Sequence, residues 1–207
     1  MQLVKSPLLL KWCYPTRIWN KSRTEKIVYL TFDDGPVPNV TEFVLNTLKS
    51  FELKATFFCI GDNIRKHPSI FERIKNEQHS IGNHTYNHLN GWQTDTHSYV
   101  QNFLKCVEIS ESSLFRPPYG KATRRQIRQI QACMPHKSLQ VVMWDVLSRD
   151  FDQKCSPENC YQNVIQHTKN GSIIVFHDSI KAFDRLRYAL PRSIEYLLEA
   201  GYRFGTL

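Results

Sequence analysis

The sequence predicts an α/β protein built as a distorted (β/α)7–8 barrel. Short runs rich in β-branched and aromatic residues alternate with longer stretches whose apolar residues recur at helical spacing. About seven such units fill the 207 residues, which suits a slightly short TIM-like barrel in a single chain. An open doubly wound sheet is the alternative, but no Gly-x-Gly-x-x-Gly turn supports a dinucleotide-binding form of it.

The strands are predicted from apolar runs that end at Gly, Pro or polar residues. The first run, 27–30, is stopped by Gly35 and Pro36, because neither residue suits the interior of a strand. The other predicted strands share this composition and lie at 55–60, 80–84, 114–116, 140–145 and 172–177, with a short candidate at 202–204.

The stretches between the strands predict helices. Asn39 or Thr41 is placed to cap the first helix, and Ser156, Pro157 and Glu158 have the composition of a helix start. The predicted helices begin near residues 40 and 68 and continue with 99–109, 123–133, 156–169 and 184–200.

The charge of the chain is basic, with a formal net charge of +8. Such a balance favours anionic partners. The charges are dispersed, and the densest group, 121–128, lies on a predicted helix without any nucleic-acid motif. We therefore expect a solvated helix face there and no nucleic-acid partner.

The N-terminal part is predicted to be an extension, residues 1–25, that packs on a barrel formed by residues 26–207. Its apolar patch is too short for a secretory signal, and no apolar run of the chain is long enough for a transmembrane segment. These features predict a cytoplasmic location, with peripheral membrane attachment through 8–12 as an alternative. The six scattered cysteines are accordingly expected to be free thiols.

Polar residues recur at one position relative to the predicted strands. They lie at or just beyond the C-terminal ends, where (β/α) barrels carry their active sites. This group comprises Asp33, Asp34, His84, Arg116, residues 145–150 and His177. The shared position predicts one site at this rim.

Two of these segments suggest a metal site. His84 and His88 are four residues apart, so a helical turn would direct both imidazoles to one ion. A carboxylate from another strand end completes a set of two histidines and one carboxylate, which suits hydrolytic zinc and also resembles a non-haem iron triad. Adjacent Asp33 and Asp34 can share such a site only if the backbone bends between them, because neighbouring strand residues point to opposite faces.

Five segments, in order, resemble the motifs of one known family, the polysaccharide deacetylases (NodB-homology domain, carbohydrate esterase family 4). The resemblance extends from about Lys26 to Phe204, so 26–207 is interpreted as the catalytic domain. The segments are Thr-Phe-Asp-Asp-Gly-Pro (31–36), His-Thr-Tyr-Asn-His (84–88), Arg-Pro-Pro-Tyr-Gly (116–120), Trp-Asp-Val-Leu-Ser-Arg-Asp (144–150) and Ile-Val-Phe-His (174–177).

The resemblance implies a metal-dependent hydrolase that removes acetyl groups, usually from N-acetylglucosamine in chitin or peptidoglycan. Asp34, His84 and His88 would bind a divalent metal, most often Zn2+. Asp33 would be the general base that deprotonates the attacking water, and Arg116 would pair with this base and orient it.

The remaining motif residues are implied to serve the oxyanion, the leaving group and the substrate. The backbone N–H of Tyr119 would stabilise the oxyanion, and His177, held by Asp150, would protonate the departing amine. Pro118 and Trp144 belong to the implied substrate-binding set. Two further members, Phe151 and Val175, stand where the family usually has Trp and Leu, and would line the acetate-methyl pocket.

Three functions remain open at the level of the sequence. The first is N-deacetylation of a glycan or oligosaccharide, for which the complete set of motif residues argues. O-acetyl esterase activity of the xylan type is the second, because ester cleavage needs the same base and oxyanion site. A non-catalytic glycan-binding module on the same fold is the third.

Overall fold

The computed structural model describes residues 4–207 and shows a curled, parallel β-sheet. The order along the sheet is β5-β4-β3-β2-β1-β7-β6, and β8 pairs with the start of β1. This half-barrel confirms the predicted α/β barrel. The strands are β1 (Ile27–Asp33), β2 (Thr56–Cys59), β3 (Ser80–Asn83), β4 (Leu114–Phe115), β5 (Gln140–Val141), β6 (Val146–Leu147), β7 (Ile173–His177) and β8 (Arg203–Phe204).

Helices follow most of the strands and cover the outside of the sheet. Several begin at capping side chains: Thr123 accepts the N–H of Gln126, and Ser156 accepts the N–H of Asn159, as its sequence context predicted. The helices are α1 (Leu8–Cys13), α2 (Val40–Ser50), α3 (Gly61–Lys66), α4 (Pro68–Asn76), α5 (Thr96–Ser110), α6 (Arg124–Cys133), α7 (Pro157–His167) and α8 (Phe183–Glu199).

The predicted strand 140–145 is wrong as a single element. The chain forms β5, leaves the ladder after Val141, and re-enters the sheet as β6 beside β7. Composition did not reveal this break, because the stretch after Gln140 stays largely buried while it changes pairing partners. Helix α3 was also not predicted, since it follows β2 without an apolar repeat.

N-terminal residues occupy the gap between β5 and β6. Ile18 donates its N–H to the carbonyl of Val141 (2.8 Å) and accepts the N–H of Met143 (2.7 Å). On the other side of the gap, Val4 accepts the N–H of Leu147 at 2.7 Å. These backbone hydrogen bonds satisfy groups at the two sheet edges that would otherwise lack partners.

The side chains of strand β1 point alternately into the apolar core and into the interior of the barrel. Phe32 packs between the rings of Phe57 and Phe176, with centroids 5.1 and 6.2 Å away, in the apolar layer under the helices. Burying a side chain of this size contributes about 1.5–3 kcal/mol. Because side chains alternate along a strand, Thr31 and Asp33 face the other side, the interior of the barrel.

No helix within residues 4–207 has the length and apolar character needed to cross a membrane. The cysteines are free thiols in the structure. Four of them are buried, Cys59, Cys106, Cys155 and Cys160.

Candidate active site

A cavity of about 640 Å3 opens at the C-terminal ends of the strands. Most of the residues predicted for a site at this rim line it, and two others, Arg116 and Asp150, lie directly behind the lining. Pro118 is buried and does not line the cavity, whereas its neighbour Pro117 does. The predicted residues that line the cavity are Asp33, Asp34, His84, His88, Tyr119, Trp144, Phe151, Val175 and His177.

A backbone bend brings the two adjacent aspartates into the same cavity. Asp33 ends β1, and Asp34 adopts a left-handed conformation with φ 85°. The next residue, Gly35, donates its N–H to Asp178 Oδ1 at 3.0 Å, and a Cβ on Gly35 would overlap this carboxylate. The bend that the sequence required is thus present, and Asp178 holds it.

Asp178 is a buried residue that the sequence motifs did not single out. Besides Gly35, it accepts the hydroxyl of Thr41 at 2.6 Å, and its own N–H donates to the carbonyl of Asp33 at 3.0 Å. Burial raises the pKa of Asp178 to about 7. The sequence signal that could have identified Asp178 as a site residue was its position directly after His177, at the end of β7.

Asp34, His84 and His88 form a compact group of potential metal ligands. Asp34 Oδ1 lies 3.2 Å from His88 Nε2 and 3.7 Å from His84 Nε2. This oxygen is buried and has no hydrogen-bond partner within the described chain. A buried carboxylate oxygen without a partner, facing two imidazole nitrogens, fits a divalent cation bound at this point.

The protonation of this group also suits metal binding. His84 Nδ1 lies 2.7 Å from the carbonyl of Arg116, so it donates there and leaves Nε2 free as a ligand. Burial lowers the pKa of His84 to about 4 and keeps the imidazole neutral. Burial alone would raise the pKa of Asp34, but His88 and His177 hold it well below its usual range.

The segment from His84 to His88 is a turn and does not form the helical arrangement considered from its spacing. Thr85 and His88 have φ values of 63° and 57°. The side chain of Asn102 on α5 accepts the N–H groups of Tyr86 (2.9 Å) and Asn87 (3.0 Å). Residues with positive φ do not continue a helix. The two imidazoles converge instead because the side chain of Asn102 holds this turn from outside.

Asp33 is oriented by a buried guanidinium. Arg116 Nη1 donates to Asp33 Oδ1 at 2.6 Å and to Thr31 Oγ1 at 2.8 Å, while Nη2 donates to the carbonyl of Met143 at 2.9 Å. The guanidinium also lies 4.1 Å from the centre of the Phe58 ring. This charged hydrogen bond fixes one carboxylate oxygen and leaves the other available to the cavity.

His177 is held by the carboxylate of Asp150. Its Nδ1 lies 2.7 Å from Asp150 Oδ1, and its backbone N–H donates to Asp150 Oδ2 at 2.6 Å. Burial alone would lower the pKa of His177, but the charge of Asp150 raises it to about 9. Arg185 on α8 donates to the carbonyl of Asp150 and was not predicted. The imidazole is thus a cationic acid at neutral pH.

Tyr119 and the apolar residues complete the cavity. Tyr119 has φ 58° in the turn that follows β4, and its ring lies 4.7 Å from that of His88. The ring of Phe151 lies 5.0 Å from His177. Together with Trp144 and Val175, these groups form an apolar wall next to the acidic floor.

One wall of the cavity comes from the N-terminal segment, which sequence motifs did not indicate. Ser6, Pro7, Leu10, Tyr14 and Arg17 all line the cavity. They reach it because the segment occupies the gap between β5 and β6. Only the pairing of distant backbone segments reveals this contribution.

Known proteins share the fold of this chain and part of its sequence. The peptidoglycan-N-acetylglucosamine deacetylase of Bacillus cereus is 32% identical over 97% of this chain and 96% of its own length. The crystal structure of the Bc1960 peptidoglycan N-acetylglucosamine deacetylase is 31% identical, with a TM-score of 0.88 over 98% of this chain and 95% of that one.

A second similar structure is named for a different polymer. The Xyl-CE4 domain of a multidomain xylanase, from the hindgut metagenome of Trinervitermes trinervoides, is 28% identical with a TM-score of 0.76, covering 89% of this chain and 88% of that one. The family model for polysaccharide deacetylases matches residues 20–137, more than half of the chain. The chain therefore belongs to the polysaccharide deacetylase family.

Proposed function

We propose that the chain is a divalent-metal-dependent deacetylase that hydrolyses N-acetyl groups of N-acetylglucosamine-type sugars in a glycan or oligosaccharide. The observation that carries the proposal is the meeting of three groups in one cavity. These are the oriented carboxylate of Asp33, the cationic imidazole of His177 and the ligand group of Asp34, His84 and His88. The names of the similar proteins support this substrate class.

The cofactor in this proposal is a divalent cation held by Asp34, His84 and His88. Two imidazole nitrogens and one carboxylate oxygen suit Zn2+ best, although other divalent transition metals accept the same donors. When bound, the cation supplies Lewis-acid chemistry that polarises the acetyl carbonyl and acidifies water.

The proton transfers are assigned to the two carboxylate-supported groups. Asp33, held by Arg116, accepts a proton from the water that attacks the acetyl carbon. The N–H of Tyr119 donates to the developing oxyanion. His177 then gives its Nε2 proton to the nitrogen as the C–N bond breaks, releasing acetate and a free amine, while Asp150 stabilises the imidazolium.

The apolar wall is assigned to recognition of the acetyl methyl group. Trp144, Phe151 and Val175 provide apolar surface beside His177. Burying a methyl group there is favourable, because it removes apolar surface from water. Pro118, from the same motif as Tyr119, stays a prediction as a substrate-binding residue.

The proposal is tested by acetate release from N-acetylglucosamine oligomers, measured with Zn2+ and with a chelator. We expect Asp33→Asn to lower kcat by about 10^2–10^4-fold, because the general base is lost, while zinc affinity is retained. Asp184→Asn, a change at an exposed side chain of α8, is the matched control and should leave the rate unchanged. Equal rates for wild type and Asp33→Asn would contradict the role of Asp33.

O-acetyl esterase activity is the second candidate, because the Xyl-CE4 domain shares the fold. An alcohol leaves without the protonation that an amine requires, so the two activities depend differently on His177. His177→Ala should abolish amide cleavage by an N-deacetylase, whereas an esterase would keep most of its activity on acetylated xylan. Tight zinc binding without acetate release from either substrate would instead favour a glycan-binding module.

A further inference from the structure

Exposed apolar side chains lie on two segments that border the cavity. Leu8, Leu9 and Trp12 on α1 are 81%, 66% and 80% exposed, and none of the residues of this helix is buried. Ile180 is 79% exposed between two cavity-lining residues, on the loop after β7. We call Leu8, Leu9, Trp12 and Ile180 the apolar rim. Such a cluster on a folded surface marks an interaction site.

The charges beside the apolar rim are positive. Lys121 and Lys181 line the same cavity, as does the half-buried Arg17, which donates to the carbonyl of Ala122 at 2.9 Å; the acidic side chains of the lining are Asp33 and Asp34. The whole chain carries a formal charge of +8. A partner that touches the rim therefore meets apolar side chains flanked by cations, which suits a surface with an apolar interior and anionic groups outside.

We propose that the apolar rim inserts into the surface of a lipid bilayer that contains anionic lipids. Leucine and isoleucine side chains enter the boundary between headgroups and acyl chains, and tryptophan is favoured at that boundary. The neighbouring lysine and arginine side chains would contact the lipid headgroups. The mouth of the cavity would then face the membrane, where the acetylated saccharide is presented.

The chemistry of the rim argues against a polysaccharide as its partner. Sugars pack on the flat faces of aromatic rings, but three of the four rim residues are aliphatic. The cavity has its own exposed aromatic side chains, Trp92 and Tyr119, which are 62% and 58% exposed and line it. The surface for the sugar and the surface for the bilayer are thus separate sets of residues.

Flotation of the full chain with vesicles tests the proposal. The probes are phosphatidylcholine vesicles with and without phosphatidylglycerol. We expect binding to the anionic vesicles and a loss of about tenfold or more in the triple variant Leu8→Ser, Leu9→Ser, Trp12→Ser, because the inserting area is removed. The matched control is Tyr196→Ser with Leu198→Ser, two exposed apolar residues on α8 (42% and 39%), which should bind as wild type.

Three results would overturn the proposal. These are wild-type protein that stays unbound with anionic vesicles, a triple variant that floats as well as wild type, and a triple variant that loses binding to insoluble glycan instead. Far-UV circular dichroism and acetate release from soluble oligomers show that the triple variant is folded. Vesicle binding is measured without turnover. If the protein does not bind vesicles, the proposed deacetylase function is unaffected. If the protein releases no acetate, the vesicle experiment still tests membrane binding.

Discussion

The protonation of His177 depends mainly on one neighbour, Asp150, with smaller contributions from Asp34 and Asp33. Burial opposes the charged imidazole, but Asp150 at 2.7 Å overrides this and raises the pKa to about 9. Because the folded value lies above the ordinary 6.5, protonation of His177 stabilises the fold fully below about pH 6.5. That stabilisation is lost as the pH rises through about 9, and with it the acid that the proposed reaction needs.

Replacing Asp150 should therefore lower the pKa of His177. We expect Asp150→Asn to lower it well below 9, because burial still acts and only the weaker effects of Asp34 and Asp33 remain to oppose it. The measurement is an NMR titration of the imidazole in metal-free protein. Asp152→Asn, at a carboxylate that pairs with Arg149 instead, is the control and should leave the titration in place. An unchanged pKa in Asp150→Asn would refute this assignment.

The motifs predicted the residues with chemistry and their immediate supports, Arg116 and Asp150, but not the further supports Asp178 and Arg185. The predicted Asp33 and His177 lie in the cavity, since strand ends mark the rim of a barrel. Asp178 supports the bend after Asp33 across a long sequence distance, because it accepts the N–H of Gly35, 143 positions away. Such pairs have no local pattern, because only the folded sheet brings them together.

At the scale of elements, apolar runs predicted β1, β2, β3 and β7 well, because these central strands are buried and bounded by turn residues. The failure at 140–145 has a specific cause. The pairing partner of this stretch changes from β4 to Ile18, and a partner in another part of the chain leaves no mark on composition. The spacing of the two histidines left the shape of the metal-ligand turn open, because Asn102, which holds this turn, lies on α5.

The turn that carries His84 and His88 should depend on Asn102. Its amide accepts the N–H groups of Tyr86 and Asn87 and donates to the side chain of Asn87 at 2.8 Å. Asn102→Ala removes the side-chain partner of Asn87, while the N–H of Tyr86 keeps the backbone carbonyl of residue 102 at 3.2 Å. We expect the free energy of unfolding to fall by about 1–3 kcal/mol and the zinc affinity to fall by about tenfold.

Urea unfolding and competition with a chromophoric chelator measure these two effects. Gln101→Ala, at the exposed neighbouring position of α5, is the matched control. Because Gln101 lies away from the turn, both quantities should keep their wild-type values. Wild-type zinc affinity in Asn102→Ala would show that the turn holds its shape without this support.

At the scale of the whole molecule, the barrel depends on its N-terminal segment for closure. Asp145, buried between β5 and β6, binds Lys11 Nζ at 2.6 Å and Arg23 Nη2 at 2.8 Å, and it accepts the hydroxyl of Ser172 at 2.7 Å. Lys11 lies in the N-terminal segment that lines the cavity, and Arg23 directly follows this segment. One buried carboxylate thus attaches the segment to the sheet, and the segment forms a wall of the site.

Removing the charge of Asp145 should loosen this closure. We expect Asp145→Asn to lower the free energy of unfolding by about 2–3 kcal/mol, less than for a fully buried pair because both cations reach solvent. Amide hydrogen exchange should accelerate in residues 4–20 more than in β1 or β7, and KM should rise more than kcat falls, because the wall is affected and the proton-transfer groups are not.

The control for this change is Glu25→Ala, which removes an exposed ion pair with Arg203. Exposed pairs contribute little, so stability, exchange and kinetics should match wild type. Uniformly faster exchange in Asp145→Asn would mean that the carboxylate supports the whole sheet. Acceleration confined to 4–20 with a raised KM would show that one ion cluster couples the closure of the barrel to the shape of its active site.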